Sequence, residues 1–276
     1  MKKVFIDKVS LTCIASIIAV LVGGCIVISG CIVIGDCCKA KYEKKEVLRT
    51  PLESGSTVEV ETSLGSINVA GADVNDCNVT ANICIKAPSE EKAKEIAEQV
   101  KIRLVRDGKT LSIKTDKPML KSNCCIGVSF NITVPRQTSI DCDTSYGSVK
   151  LADIEGNIKA ETSYASIDCK NVSGQIKLET SYGSIDCTDI KPTAIEAESS
   201  FGSISINCSP STTPDLAADV RTSYGNISFA VPPNFAGKIN TSTSFGSVGI
   251  SPPSTVKDTG NGKIHLKTSF GSIKVK

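Results

Sequence analysis

The chain has 276 residues, enough for one large domain or two small ones, and its 31 basic and 29 acidic residues leave a formal net charge of +2. That balance excludes a basic field for nucleic acid and an acidic tail. Aromatic residues are 4% and Trp is absent, which excludes a core built on large rings and leaves Ile, Val, Leu, Ala and Cys to fill a narrow interior.

Lys2, Lys3 and Lys8 precede an almost uncharged stretch from Val9 to Gly35, longer than the roughly 20 residues that span a bilayer. Two shorter readings sit inside it. Val22-Gly23-Gly24-Cys25 and Ile28-Ser29-Gly30-Cys31 both resemble a lipobox, in which a signal peptide is cut before an acylated Cys. Cys31 fits that pattern better than Cys25 but leaves a long apolar run ahead of it. The other reading is an uncleaved anchor helix. Lys39, Lys41, Lys44 and Lys45 come after the segment, so charge asymmetry does not decide. On either reading residues 1–35 are a signal/lipoprotein leader or membrane anchor, the remainder is extracytoplasmic in the cell envelope, and residues 36–54 are a charged linker.

Residues 55–135 alternate as strands around one helix. Ser56-Thr-Val-Glu-Val-Glu and Leu64-Gly-Ser-Ile-Asn-Val read as strand, turn, strand, and Val79 to Lys86 as a half-buried strand. Ser89 offers an N-cap hydroxyl, Glu90 and Glu91 sit in the first turn, and Ala93, Ile96, Ala97 and Val100 share a face. Asp107-Gly108 then predicts a hairpin between Ile102–Arg106 and Leu111–Thr115, and Phe130–Val134 a strand closed by Pro135. This block predicts a small α+β cap continuous with the repeats beyond Pro135, since an exposed end of a repetitive sheet would template aggregation.

From residue 136 to 276 one unit recurs. Its marker position holds Tyr146, Tyr164, Tyr182, Phe201, Tyr224, Phe245 and Phe270, and Leu64 occupies the same place upstream; the spacings from Tyr146 are 18, 18, 19, 23, 21 and 25 residues. Apolar residues stand six and four before the marker (Ile158 and Ala160, Ile176 and Leu178) and three and five after it (Ile167 and Cys169, Ile185 and Cys187). The offsets are even before and odd after, so the inward face changes phase at Tyr-Gly-Ser, as when a chain turns a corner into a second strand. A second corner is predicted near Asp153, Asn171 and Asp189. Gly comes directly after the marker except at Ala165, so this Gly permits close approach between units rather than an obligatory left-handed turn. The marker residues are thus expected to form a structural corner ladder; rings turned outward would instead stack sugars or pack on a partner. The architecture predicted is mainly β, a single-chain parallel β-solenoid or β-helix. The crossover rule favours right-handed winding, although an 18-residue coil also suits the left hand.

Thr144-Ser-Tyr-Gly-Ser-Val, Thr180-Ser-Tyr-Gly-Ser-Ile and Thr268-Ser-Phe-Gly-Ser-Ile, with Ile132-Thr-Val-Pro135 before the first unit, resemble the bacterial putative-adhesin, β-strand-repeat family over residues 55–276. That resemblance implies a cell-surface solenoid and supplies no catalytic residues.

Candidate chemistry is sparse. Asp143, Glu161, Glu179 and Glu198 form an outward acidic column and Asp168 and Asp186 an outward pair, either of which could bind Ca²⁺ or do acid–base work. The column runs out at Arg221, Ser242 and Lys267, and Lys159 and Lys177 stand beside it, which favours a solvated charged face. Of 13 Cys, Cys77 with Cys84 and Cys124 with Cys125 are the disulfide candidates, while Cys169 and Cys187 read as small core residues. No zinc spacing exists and His265 is the single His, so no metal, cofactor or catalytic residue is assigned. The function read from these features is non-enzymatic: a membrane-anchored solenoid for adhesion or cell-envelope interaction, with an envelope glycan or protein as partner. One alternative is a self-assembling, bactofilin-like scaffold joining through the solenoid end, since Ser269–Lys276 finishes on an uncapped strand guarded only by Lys274 and Lys276. The other is a carbohydrate-active β-helix enzyme.

Overall fold

The computed structural model describes residues 40–120 and 123–276; the leader, Cys25 and Cys31 lie outside the described residues. No helix among the described residues is long and apolar enough to cross a membrane. The protein is mainly β. Its first part comprises β1 (Ala40–Pro51), β2 (Thr57–Leu64), β3 (Ile67–Ala72), β4 (Asp76–Ala87), α1 (Glu90–Gln99), β5 (Lys101–Asp107), β6 (Thr110–Asp116) and β7 (Cys125–Pro135). The repeats begin with β8 (Ser139–Tyr146), β9 (Val149–Ala152), β10 (Ile158–Thr162), β11 (Ile167–Lys170), β12 (Ser173–Thr180), β13 (Ile185–Ser199) and β14 (Ile204–Cys208). They end with β15 (Ala217–Tyr224), β16 (Ile227–Ala230), β17 (Ala236–Phe245), β18 (Val248–Ile250), β19 (Lys257–Phe270) and β20 (Ile273–Val275).

Each unit places one strand on each of two sheets. Sheet I runs β5–β6–β2–β8–β10–β12–β13–β15–β19–β17. Sheet II runs β1–β4–β7–β3–β9–β11–β13–β14–β16–β20–β18. Pairing between units is parallel and in register, Ile158 on Ile176 on sheet I and Cys169 on Cys187 on sheet II. Strand β13 serves both sheets, turning at Asp189. Asp153, Asn171 and Asp189 all hold left-handed φ of 50 to 58°, where their short polar side chains are tolerated, and Asn171 Nδ2 donates to Asp153 Oδ1 at 2.6 Å. The predicted second corner is there.

The even-then-odd pattern becomes one continuous core between the sheets. Ile140, Leu178, Ile185, Val220 and Leu266 are buried, as are their equivalents in the inner units. A carbon added at Gly147, Gly183, Gly202 or Gly225 would meet the carbonyl oxygen of the neighbouring unit at 1.9 to 2.1 Å, so these glycines are set by close approach.

Three expectations are corrected. Residues 40–51, read as part of a charged linker, form β1, antiparallel to β4. Tyr42 and Leu48 face the core on one side of the strand while Lys41, Glu43, Lys45 and Arg49 face out; long charged side chains on the wet face mask the period of two. The units also do not stack in chain order. The C-terminal unit β19/β20 inserts between β15/β16 and β17/β18, so the last strand is an interior strand and the open end is β17/β18. Composition accounts for this: the β17 unit carries Thr241 where β19 carries Leu266, and burying the more apolar unit removes more hydrocarbon from water. Finally, Cys77 and Cys84 lie on the single extended strand β4, about 23 Å apart at 3.3 Å per residue, beyond disulfide reach of each other. All of Cys77, Cys84, Cys124 and Cys125 are thiols, as are the core residues Cys169 and Cys187.

The other end is closed. Antiparallel β1, β4 and β5 flank it, and α1 packs on β1 and β4 through Ala93, Ile96 and Ala97, with Ser89 Oγ accepting from Lys92 N as the predicted N-cap. The hairpin at Asp107-Gly108 joins β5 to β6 as predicted.

Candidate functional site: the outer columns of the stack

Parallel in-register stacking turns every repeated residue into a column. The marker column is continuous: Tyr146, Tyr164, Tyr182, Phe201, Tyr224, Phe270 and Phe245 stack in that spatial order at 4.7 to 5.1 Å between ring centroids and within 6° of parallel. The rings stand at the first corner, on the outside, 40 to 67% exposed. Because each ring covers the next, the faces are occupied and the surface offered to solvent is a row of ring edges with the hydroxyls of Tyr146, Tyr164, Tyr182 and Tyr224. Stacking a sugar ring flat on an aromatic face is possible only at an end of the row, where Phe245 has one face uncovered by any of the described residues.

The corner itself is held by a column that sequence reasoning missed. Two residues before each marker, Thr144, Thr162, Thr180, Ser199, Thr222, Thr268 and Thr243 are turned inward and donate to the carbonyl of the residue after the marker in the adjoining unit, at 2.8 to 3.0 Å. Thr268 reaches Gly225 and Thr243 reaches Gly271, which repeats the inverted order of the last two units. The signal was present as a hydroxyl at every unit. Thr162→Val, which leaves the Gly147 carbonyl unpaired and buried, is expected to cost about 1–3 kcal/mol, and Thr162→Ser much less, as Ser199 serves natively. Urea unfolding of both variants checks this; equal losses would reject the hydroxyl's role.

The acidic column is also in register, and longer than expected: Glu61, Asp143, Glu161, Glu179 and Glu198 stand side by side, ending at Arg221 and Lys267. Lys159 lies 3.0 Å from Glu161 and Lys177 2.9 Å from Glu179, so the column is laced laterally by its own lysines. Asp143 is held above the usual carboxylate range by partial desolvation and by Glu161 and Glu61, against the pull of Lys159. On sheet II, Asp186 is raised by desolvation and by Asp168, which itself pairs with Lys150 at 3.3 Å. For both acids the folded state favours the proton, so their contribution to stability is full at low pH and is lost as pH rises through the raised value. Asp168, Asp186, Lys150 and Lys170 line a shallow groove of about 910 Å³ along sheet II, which Asn68 and Asn131 extend. No cluster of three or more metal-ligating side chains occurs among the described residues.

A family model described as a domain of unknown function, DUF7330, matches residues 155–259. Among solved structures, the chain is similar to a putative cell adhesion protein from Clostridium sporogenes, at 14% identity over 85% of this chain and 99% of that one, with a TM-score of 0.44. It is also similar to a putative adhesin from Bacteroides fragilis, at 16% identity over 84% and 97%, with a TM-score of 0.40. A third is a putative lipid binding protein from Parabacteroides distasonis, at 12% identity over 84% and 97%, with a TM-score of 0.36. No curated protein matches the chain.

Proposed function

We propose that the protein is a non-enzymatic parallel β-solenoid, held at the cell envelope by residues 1–35 and working outside the cytoplasm in adhesion or envelope interaction. The observation that carries this reading is the exposed aromatic column. Seven large rings left on the surface in one straight line are costly to solvate and uncommon on a protein with no use for them. Their stacked faces exclude flat sugar stacking along the row, so the partner meets ring edges and tyrosine hydroxyls. An extended glycan or protein chain lying lengthwise on the corner, with an apolar side and hydrogen-bonding groups, fits that surface.

The test is capture of envelope glycans and proteins by the full chain, compared with the triple variant Tyr164→Ser, Tyr182→Ser, Phe201→Ser. These rings are exposed and outside the core, so the fold is expected to survive and capture to be lost. Equal capture by both proteins, or none by either, overturns the proposal.

A further inference from the structure

The two ends of the stack are built differently. At the head, the outermost strands are guarded by charge: β1 carries Lys41, Glu43, Lys44, Lys45, Glu46 and Arg49, and β5 carries Lys101, Arg103, Arg106 and Asp107. Both run antiparallel to their neighbours, and α1 packs on β1 and its neighbour β4. Charged edge strands of this kind discourage further pairing. At the tail, the span from Ala236 to Ser251 carries a single charge, Lys238, among Asn, Thr, Ser and Gly. Among the described residues, strands β17 and β18 have a neighbour on one side only. Val248 and Ile250 occupy columns that are at most 1% exposed at Ile273 and Val275 in the adjoining unit, yet they are 43% and 49% exposed. The outermost ring, Phe245, is 67% exposed, the most of any in its column. An unguarded sheet edge, an open section of the core and a free ring face coincide at one end.

We propose that the tail rung is a self-complementary interface, and that two copies of the chain close tail to tail about a two-fold axis through the Phe245 corner. The occupant is a second copy in this orientation because the head, with its charged antiparallel edges, offers no matching parallel neutral rung. A two-fold axis through the corner and perpendicular to the stack lays β17 of each copy antiparallel to β18 of the other. It keeps the inward columns facing inward and seats one Phe245 ring on the other, continuing the aromatic column across the junction. Only Lys238 has to be accommodated as charge. The pairing is closed, since each tail is used once, so it yields a dimer and no filament.

The full chain in detergent micelles is the protein to test, by analytical ultracentrifugation over a wide dilution series. A dimer is expected. Ile250→Lys, which places a charge in the joined core, and Ser247→Lys, which adds one at the neutral rim, are each expected to weaken it about a hundredfold or more. Two variants guard against simple misfolding of one, and far-ultraviolet circular dichroism should be unchanged in at least one of them. With p-benzoylphenylalanine in place of Phe245, irradiation is expected to link position 245 to residues 244–250 of the second copy. A monomer at every concentration overturns the proposal, whether the β17 amides exchange freely or are protected by the chain's own leader. So do open filaments, a crosslink into the head strands, or a dimer indifferent to both lysine variants.

Discussion

Leu178→Ala is expected to be among the most damaging conservative substitutions in the protein, lowering stability by about 3–5 kcal/mol. Leu178 is fully buried, and its neighbours in the same column are Ala160 and Ala197. A column normally repairs a lost methyl by letting the residues above and below lean inward. Alanines have nothing to lean with, so the variant leaves three small side chains in succession and a cavity the backbone ladders prevent from collapsing. Ile185→Val, in the opposite sheet between Ile167 and Ile204, removes one methyl among larger neighbours and is expected to cost only about 0.5–1.5 kcal/mol. Urea midpoints at constant slope measure both. A Leu178→Ala loss no greater than that of Ile185→Val would mean the two sheets close on the gap.

The core thiols are expected to be chemically silent until the protein unfolds. Burial pushes Cys77 and Cys208 up to about 12 from an ordinary 9.0, and raises Cys142 as well. Cys187 is raised by its hydrogen bond with Cys169 and by burial. A thiol shifted from 9.0 to about 12 holds about a thousandfold less thiolate at any pH well below 9, which slows alkylation even though the remaining thiolate is the more nucleophilic, and burial restricts access further. Differential alkylation with mass-spectrometric readout, native against unfolded, checks this; half-buried Cys124 is the internal comparator. Fast native labelling of Cys77 or Cys208 would reject the packing described. The same shifts fix the sign of the alkaline response. The neutral thiol is the form the fold stabilises, so stability is full below pH 9 and falls as pH rises from there through the raised values.

The parts of this protein that read correctly from sequence are those where a local pattern and its structural cause coincide. The phase change at Tyr-Gly-Ser is a corner because side-chain alternation reverses where one strand ends and the next begins, here between Tyr146 and Val149. Asp153, Asn171 and Asp189 mark the second corner because few other side chains accept a left-handed backbone. Ser89 and Asp107-Gly108 carry their cap and hairpin in single residues. The threonine column was visible as repetition but its purpose was not, since each hydroxyl serves a carbonyl 15 or more residues away. The strand in residues 40–51 was hidden by its charge.

By itself, then, the sequence determined the two-strand unit, its inward and outward faces, and the alignment of equivalent residues in neighbouring units. These come from the alternation of side chains along a strand and from the near-identity of the repeats, both of which are local. The order of the units was decided only in three dimensions. Equivalent units present nearly the same edges, so pairing alone scarcely distinguishes a neighbour in sequence from the next one along. What separates them is how much apolar surface the finished stack hides. With Leu266 enclosed and Thr241 left at the rim, the lower-energy arrangement puts the last unit inside and leaves β17, β18 and the free face of Phe245 at the open end.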